Sequence, residues 1–435
     1  MSDYFFELPK EHDKLRARLR PRQELLDRSL VGNIVAIFED VDSRGDAAVI
    51  AATSRFDEIS LKSIRVADDY INNCISKLND DFRDAVHKAI DNVKEVNEVL
   101  MPESQWRKKI RAGTIIGEKN TPLEGVGLYV PANKGPLIST AIMLVGAAKV
   151  AGVNNIVAAM PPQSDGHPNP STTAAAKLAG ADHIVTGNGV GLIAGLTLGT
   201  ESIPEVNGIY GPGPAGIAAA MSVSFSYGKR TVVGIGPTDC AIIADESANP
   251  DIVARNLMCE GEHGPDSSAL LVTTSRTLAQ AVRHILDRQI PMVEGRRGDF
   301  LSVVFGDNGM GAITVVPDMH AACQLVNEFA PEHLLVSCEK DAEQKVLDEI
   351  QNAGEILIGN FTPFSAANYA IGITAVLPTN GFASSFSGIT CKDMLKTSTI
   401  GQLSKAALEE LKPTIEQIGA HEGLPCHIAA ARDIQ

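Results

Sequence analysis

The apolar positions fall into distinct textures along the chain. Up to about residue 104 they recur at three- and four-residue spacing, which predicts a helical lead-in with helices over 22–38, 44–56, 68–78 and 80–100. From Thr114 the texture changes to short β-branched or apolar runs alternating with Gly- and Ala-rich stretches: GVGLYVP, STAIMLVGAAKVAG, NNIVAAMPP, STTAAAKLAGA and DHIVTGNG. That strand-helix-strand rhythm demands a mostly parallel sheet with helices on both faces. A second series follows: RTVVGIG, CAIIADES, a helix from Asp251, SALLVTT, a helix from Leu278, then LSVVFGD, ITVVPD, HLLVSC and EILIGN. The pattern predicts two α/β units rather than one long sheet. Beyond Leu377 the strand signal fades, and Lys- and Glu-bearing text from Ser404 predicts a small helical C-terminal piece.

Two glycine-rich turns, Gly187-Asn188-Gly189 and Gly211-Pro212-Gly213, each follow a predicted strand. Such turns let backbone approach a phosphate at a helix N-terminus. Neither forms the spaced G-x-G-x-x-G with an acidic residue about 20 positions on, so a plain turn explains them equally well.

Composition narrows the class. The chain has 435 residues, enough for two or three domains with real cores. Its 38 basic and 53 acidic residues give a net charge of -15 and no basic surface for phosphate backbones or anionic lipid. Nucleic acid and membrane are therefore not expected partners. The start, MSDYFFELPKEHDKLRARLR, lacks the order of a secretory signal, and the longest apolar tract, 135–153, is interrupted by Lys149 and suits a buried helix. A cytoplasmic location is expected. Seven dispersed cysteines without a CxxC pair read as reduced thiols, and Cys259 and Cys426 are given no role although each precedes a candidate metal ligand.

Four stretches could carry chemistry. In Asn249 to Asp266, Asn249 can cap a helix with Pro250 at its first position, and Gly264-Pro265 can end it. Glu260 and His263, three apart, then project from one face and form half of a mononuclear zinc site. By itself such a pair is more often a surface pair. Adjacent Glu332 and His333 can act as two proton-transfer groups, or simply satisfy each other at a helix-strand turn. Asn368 reads as a turn residue, and His427, after Glu422, as a helix-surface residue.

Together these stretches resemble the histidinol dehydrogenase family. GLYVP, GTESIP, YGPG, GPTDCAIIAD, EHGPDSS, PEHLL, VLPT and EGLPCH fall in the family's order from about residue 20 to 435. The resemblance implies a zinc- and NAD-dependent enzyme that oxidises a primary alcohol twice, through an aldehyde, to a carboxylate. It implies an α/β fold of two Rossmann-like parallel-sheet domains with a helical lead-in and a small helical C-terminal segment. The domains expected are a helical arm over 1–25, a discontinuous main domain over 26–127 and 241–388, an inserted domain over 128–240 on the cofactor side, and a segment over 389–435. That last segment is expected to reach the partner subunit of a homodimer with shared active sites.

Carried over residue by residue, the resemblance makes Glu332 the water-activating carboxylate and His333 the general base. Zinc falls to Glu260, His263, Asn368 and His427. Substrate contacts fall to Thr238, Glu260, His263, His333, Asn368, Glu422 and His427, and Tyr129 lies near the nicotinamide cofactor. The chain also departs from the family pattern, with Glu260 where the family has Gln and Asn368 where it has Asp. The carboxylate and the amide have exchanged places, which leaves the formal charge of the ligand set unchanged and implies retention of metal. Thr238 replaces Ser, Ala375 replaces a substrate-side His, and Gly191 and Pro214 stand where the family has Gln and Asn contacts to the cofactor. The missing His implies a remodelled pocket and a small polar alcohol other than L-histidinol. Alternatives are true L-histidinol oxidation, a metal-dependent hydrolase or lyase that has abandoned the nucleotide, and a non-catalytic zinc or ligand-binding protein.

Overall fold

The computed structural model describes residues 4–19, 28–132, 135–232 and 236–432. The chain divides into two compact units, one of Met1–Leu100 with Glu124–Met394 and one of Met101–Leu123 with Leu395–Gln435.

The first unit holds two wholly parallel sheets. One has five strands, β4 (Gly125–Tyr129), β5 (Asn155–Met160), β6 (His183–Thr186), β7 (Gly208–Tyr210) and β8 (Arg230–Thr231), in the order β6-β5-β4-β7-β8. The other has six: β1 (Phe5–Glu7), β9 (Asp239–Ala244), β10 (Ser268–Thr273), β11 (Met310–Val315), β12 (His333–Ser337) and β13 (Glu355–Ile358), in the order β1-β11-β10-β9-β12-β13. Apart from the edge strand β1, each sheet starts in its middle, grows one way for three strands, then crosses to the other side. That is the doubly wound arrangement, in which ligands bind where the winding reverses. Strands such as DCAIIA and SALLVT are buried at every position and apolar between their ends because helices cover both faces.

Helix packing around the five-stranded sheet depends on small residues. The helix Ile138–Ala151 is buried almost all round, and a Cβ on its Gly146 would lie 2.8 Å from Val93 Cγ1 of the helix Asp80–Leu100. At the winding reversal, Gly211 takes a φ of +141°, and any Cβ there would sit 2.0 Å from the Tyr129 carbonyl oxygen. Backbone crosses backbone at that point, and only glycine admits it.

The second unit is an antiparallel sheet of β2 (Gln105–Arg111), β3 (Thr114–Pro122) and β14 (Leu395–Leu403), in the order β14-β3-β2, with the helices Lys405–His421 and Pro425–Arg432.

Several expectations are corrected. The lead-in is not helical throughout, because Phe5–Glu7 forms β1 against β11, a strand too short to show a period in sequence. The strand signal does not end at Leu377, because Leu395–Leu403 is a nine-residue strand. Its residues are mostly exposed, so no alternation of apolar and polar positions marks it. The second expected helix begins beyond Gly45 rather than at Arg44, since Arg28–Arg44 is one helix and Asp46–Phe56 the next. Residues 22–27 of the first expected helix, and 233–235 of RTVVGIG, lie outside the described residues. Among the described residues no helix is long and apolar enough to cross a membrane.

Candidate active site

Parallel pairing sets the site's frame. His333, the first residue of β12, pairs in register with Cys240 of β9 and Glu355 of β13. Asp239, at the head of β9, ties down the residue before His333: its Oδ1 accepts from the Glu332 amide at 2.6 Å, while its own amide donates to Glu332 Oε2 at 3.3 Å. Asp239 Oδ2 also accepts from the Asn380 amide at 2.6 Å. Glu332 and His333 are thus held at the amino ends of β9 and β12, both buried.

The helix Pro250–Gly261 brings the next pair. Asn249 Oδ1 caps it, accepting from Asp251 and Ile252 amides at 2.9 and 3.4 Å, with Pro250 at its start. The helix stops at Gly261, earlier than the Gly264-Pro265 stop expected, so His263 lies in the following turn. Its Nε2 still faces Glu260 Oε2 at 3.5 Å. Asn368, in the helix Phe364–Tyr369, donates from Nδ2 to Glu260 Oε1 at 2.9 Å. The Phe364 amide is held by Asn256 Oδ1 at 2.9 Å, and the Phe364 ring packs edge-on to the His333 imidazole, centroids 5.7 Å apart.

Around His333 three buried carboxylates converge. Nε2 lies 3.5 Å from Glu332 Oε1 and 3.7 Å from Glu260 Oε2, and Nδ1 donates to Glu355 Oε1 at 2.5 Å. Burial alone would push this imidazole's pKa down, but Glu260, Glu332 and Glu355 outweigh it and hold the pKa well above the ordinary histidine value. Burial, partly offset by His333, raises the Glu332 carboxyl above its usual range.

Glu332, His333, His263, Asn368 and Thr238 all open onto one cavity of about 600 Å³. Its opposite wall comes from residues just past the carboxyl ends of β4 and β7, including Pro131, Pro212 and Pro214. The cavity therefore joins the winding reversals of both sheets, at the carboxyl edge of one and the amino edge of the other. Tyr129 is buried under this wall, where its hydroxyl would be 2.8 Å from a Cβ on Gly189, the first residue of the helix Gly189–Leu198. Burial raises its phenol well above the ordinary value. Gly191 faces the helix Asp46–Phe56, at Val49 and Ala52, and its amide donates to Asn188 Oδ1 at 3.3 Å. Pro214 caps the helix Ala215–Ser226 without a side-chain hydrogen bond. Glu422 and His427 are exposed in the second unit, near the turn between its two helices.

The donor set suits a divalent cation. Glu260 is fully buried, and its Oε2 has no hydrogen-bond partner, whereas Oε1 receives both the Asn368 amide and, at 3.7 Å, the Cys259 thiol. A buried carboxylate oxygen with no hydrogen bond, approached only by the His263 and His333 imidazoles at 3.5 and 3.7 Å, is costly unless a cation meets it. One imidazole, even protonated, does not balance three buried carboxylates. The Nδ2 bond turns the Asn368 amide nitrogen onto Glu260 and leaves its oxygen as a donor to metal. Among the described residues no three His, Cys, Asp or Glu side chains gather as a metal cage.

Sequence reasoning did not single out Asp239, Glu355 or Phe364. Glu355 had a faint signal, a charge at the head of the apolar run EILIGN, but its partner depends on strand register.

Two doubly wound sheets meeting at a cavity onto which a buried carboxylate-imidazole pair opens make an α/β protein of the kind that holds small-molecule ligands in its crevice. A family model described as histidinol dehydrogenase matches residues 20–433. A histidinol dehydrogenase of Methanosarcina barkeri is 35% identical over 421 residues, 94% of either chain. A histidinol dehydrogenase homolog of Colwellia psychrerythraea is 34% identical over 97% of this chain and 94% of its own. The crystal structure of histidinol dehydrogenase from Elizabethkingia anophelis superposes with a TM-score of 0.92 at 30% identity, covering 99% of this chain and 97% of that one. The chain belongs to the histidinol dehydrogenase family. Members of this family are homodimers that catalyse a zinc-dependent, NAD-linked oxidation of an alcohol by way of an aldehyde, with one zinc ion per active site.

Proposed function

We propose that this chain oxidises a small polar primary alcohol other than L-histidinol, in two steps through the aldehyde to the carboxylate. The observation that carries the reading is the buried Glu332-His333 pair opening onto the same cavity as His263 and Asn368. Glu260, His263, Asn368 and, from the partner subunit, His427 would hold zinc. Bound there, zinc supplies a Lewis-acid anchor for a polar group of the substrate, and NAD supplies the hydride acceptor.

The chain's own residues do the rest. His333 accepts the hydroxyl proton at Nε2 as the carbinol carbon is oxidised. Glu332, raised in pKa by burial and held by the Asp239 amide, takes a proton from the water that attacks the aldehyde. Thr238 lines the substrate's part of the cavity, and Glu422 of the partner subunit contacts the substrate. Tyr129 supports the cofactor from beneath the helix Gly189–Leu198.

Ala375 supports a changed substrate. It is half-buried in a stretch of cavity wall shared with Ile142, Met143 and Val376, and its amide donates to Met143 Sδ at 3.3 Å. That wall offers methyls and a thioether, with no side-chain donor for an imidazole-bearing amino alcohol. True L-histidinol oxidation is the second reading, favoured by the relatives' names.

Zinc-loaded protein assayed against L-histidinol and a panel of amino alcohols, polyols and sulfonated diols, counting NADH formed per substrate consumed, decides between them. Two NADH from a panel alcohol, with acid formation slowed about 100-fold or more by Glu332→Gln, is the expected result. Two from L-histidinol establishes the second reading. No NADH from any substrate overturns both and points to a nucleotide-free hydrolase or lyase.

A further inference from the structure

The mechanism above uses His333 only at Nε2, and its other nitrogen is not idle. Nδ1 donates to Glu355 Oε1 at 2.5 Å, and both side chains are buried. The contact is built into the sheet: His333 and Glu355 are in-register partners at the heads of adjacent parallel strands, so their side chains lie on the same face. The Glu355 amide also donates to the Glu332 carbonyl at 3.0 Å, fixing the two strand heads together. Glu355 Oε2 is buried without a hydrogen-bond partner, which is costly and calls for an explanation.

We infer that Glu355 is the positioning residue of this enzyme, bonding Nδ1 of His333 and thereby presenting Nε2 to the substrate hydroxyl. A neutral imidazole carries its proton on one nitrogen or the other, and the hydrogen bond made by one decides which. With Nδ1 committed to Glu355, Nε2 is the nitrogen left facing Glu332, Glu260 and the cavity. When Nε2 takes the hydroxyl proton, the imidazolium keeps its Nδ1–H bond to a carboxylate, and no ring turn is needed between the two oxidations. The Phe364 ring, edge-on to the imidazole, restricts the same rotation. Acid-base-orienter arrays of this logic recur on unrelated folds.

The inference rests on the reading of His333 as the base, and the test separates the two. Zinc-loaded Glu355→Ala, Glu355→Gln and His333→Ala proteins are assayed with the panel alcohol oxidised fastest, recording kcat, KM, the solvent deuterium isotope effect on kcat, and zinc per subunit. For Glu355→Ala the expected result is a fall in kcat on the order of 10²-fold, with KM within about twofold, zinc unchanged and a larger isotope effect. Glu355→Gln, whose amide oxygen can still accept from Nδ1, should recover part of the loss and carries the test if the Ala variant does not fold. Unchanged kcat and isotope effect in the Gln variant, or a loss that only tracks lost zinc, overturns the role of Glu355. An active His333→Ala protein overturns the reading beneath it.

Discussion

At the level of single residues, the contact between Glu260 and Asn368, the pair proposed to share a zinc ion, is the most testable feature of the site. Their side chains touch, Nδ2 to Oε1 at 2.9 Å, so changes at the two positions are coupled rather than additive. Glu260→Gln removes the only carboxylate of the pair and leaves two amides, and zinc affinity should drop about tenfold or more. Adding Asn368→Asp in that background restores one carboxylate and one amide and should recover most of the loss. Zinc competition with a chelator on the single and double variants checks this; a double variant no better than Glu260→Gln would show that the two positions do not share one ion. His263 and His333 were legible as chemistry-bearing residues because their neighbours in sequence are acids. Asp239 and Glu355 were not, because each acts through strand neighbours far away in the chain.

At the level of elements, the two strand-helix series were readable because strands covered on both faces are apolar runs and Gly- and Ala-rich helices follow them; LSVVFGD was the exception, an apolar run whose first residues end the helix Gly295–Val304 instead of forming a strand. The sequence did not disclose how closely those helices approach. Gly146 lets the helix Ile138–Ala151 meet Val93 with no room for a side chain, and both helices line the cavity through Val93, Ile142 and Met143. Gly146→Leu overpacks that contact and should destabilise the protein by about 1–3 kcal/mol, read as a lower denaturation midpoint at constant m-value. An unchanged midpoint would mean that the helices separate without loss. β2 and β14 were missed for the opposite reason: QWRKKIR and LKTSTIGQL are mostly exposed, and an exposed strand shows no period of buried positions.

For the whole molecule, the proposed site needs two copies of the chain, since Glu422 and His427 are expected from the partner subunit. Co-expressed His333→Ala and His427→Ala subunits, each inactive alone, should then form mixed dimers with one intact site of the two. Random pairing restores about a quarter of wild-type activity. Mixtures that stay inactive would place all the residues of a site in one chain. The same scale explains a limit of sequence reading: motif order pointed to the residues proposed as catalytic, while the meeting of the carboxyl edge of one sheet with the amino edge of the other appears only in three dimensions.

The antiparallel sheet of the second unit has a consequence for biosynthesis. β2 and β3 leave the ribosome early as a two-stranded hairpin, mostly exposed, and β14 completes their sheet only after more than half of the chain has followed. A lone hairpin is marginal in water, so this unit must wait, unfinished, while the two parallel sheets wind. The expected subunit-bridging helices come later still, after β14. Glu332 and His333, the proposed acid-base pair, are therefore synthesised well before His427, the zinc ligand expected from the partner subunit.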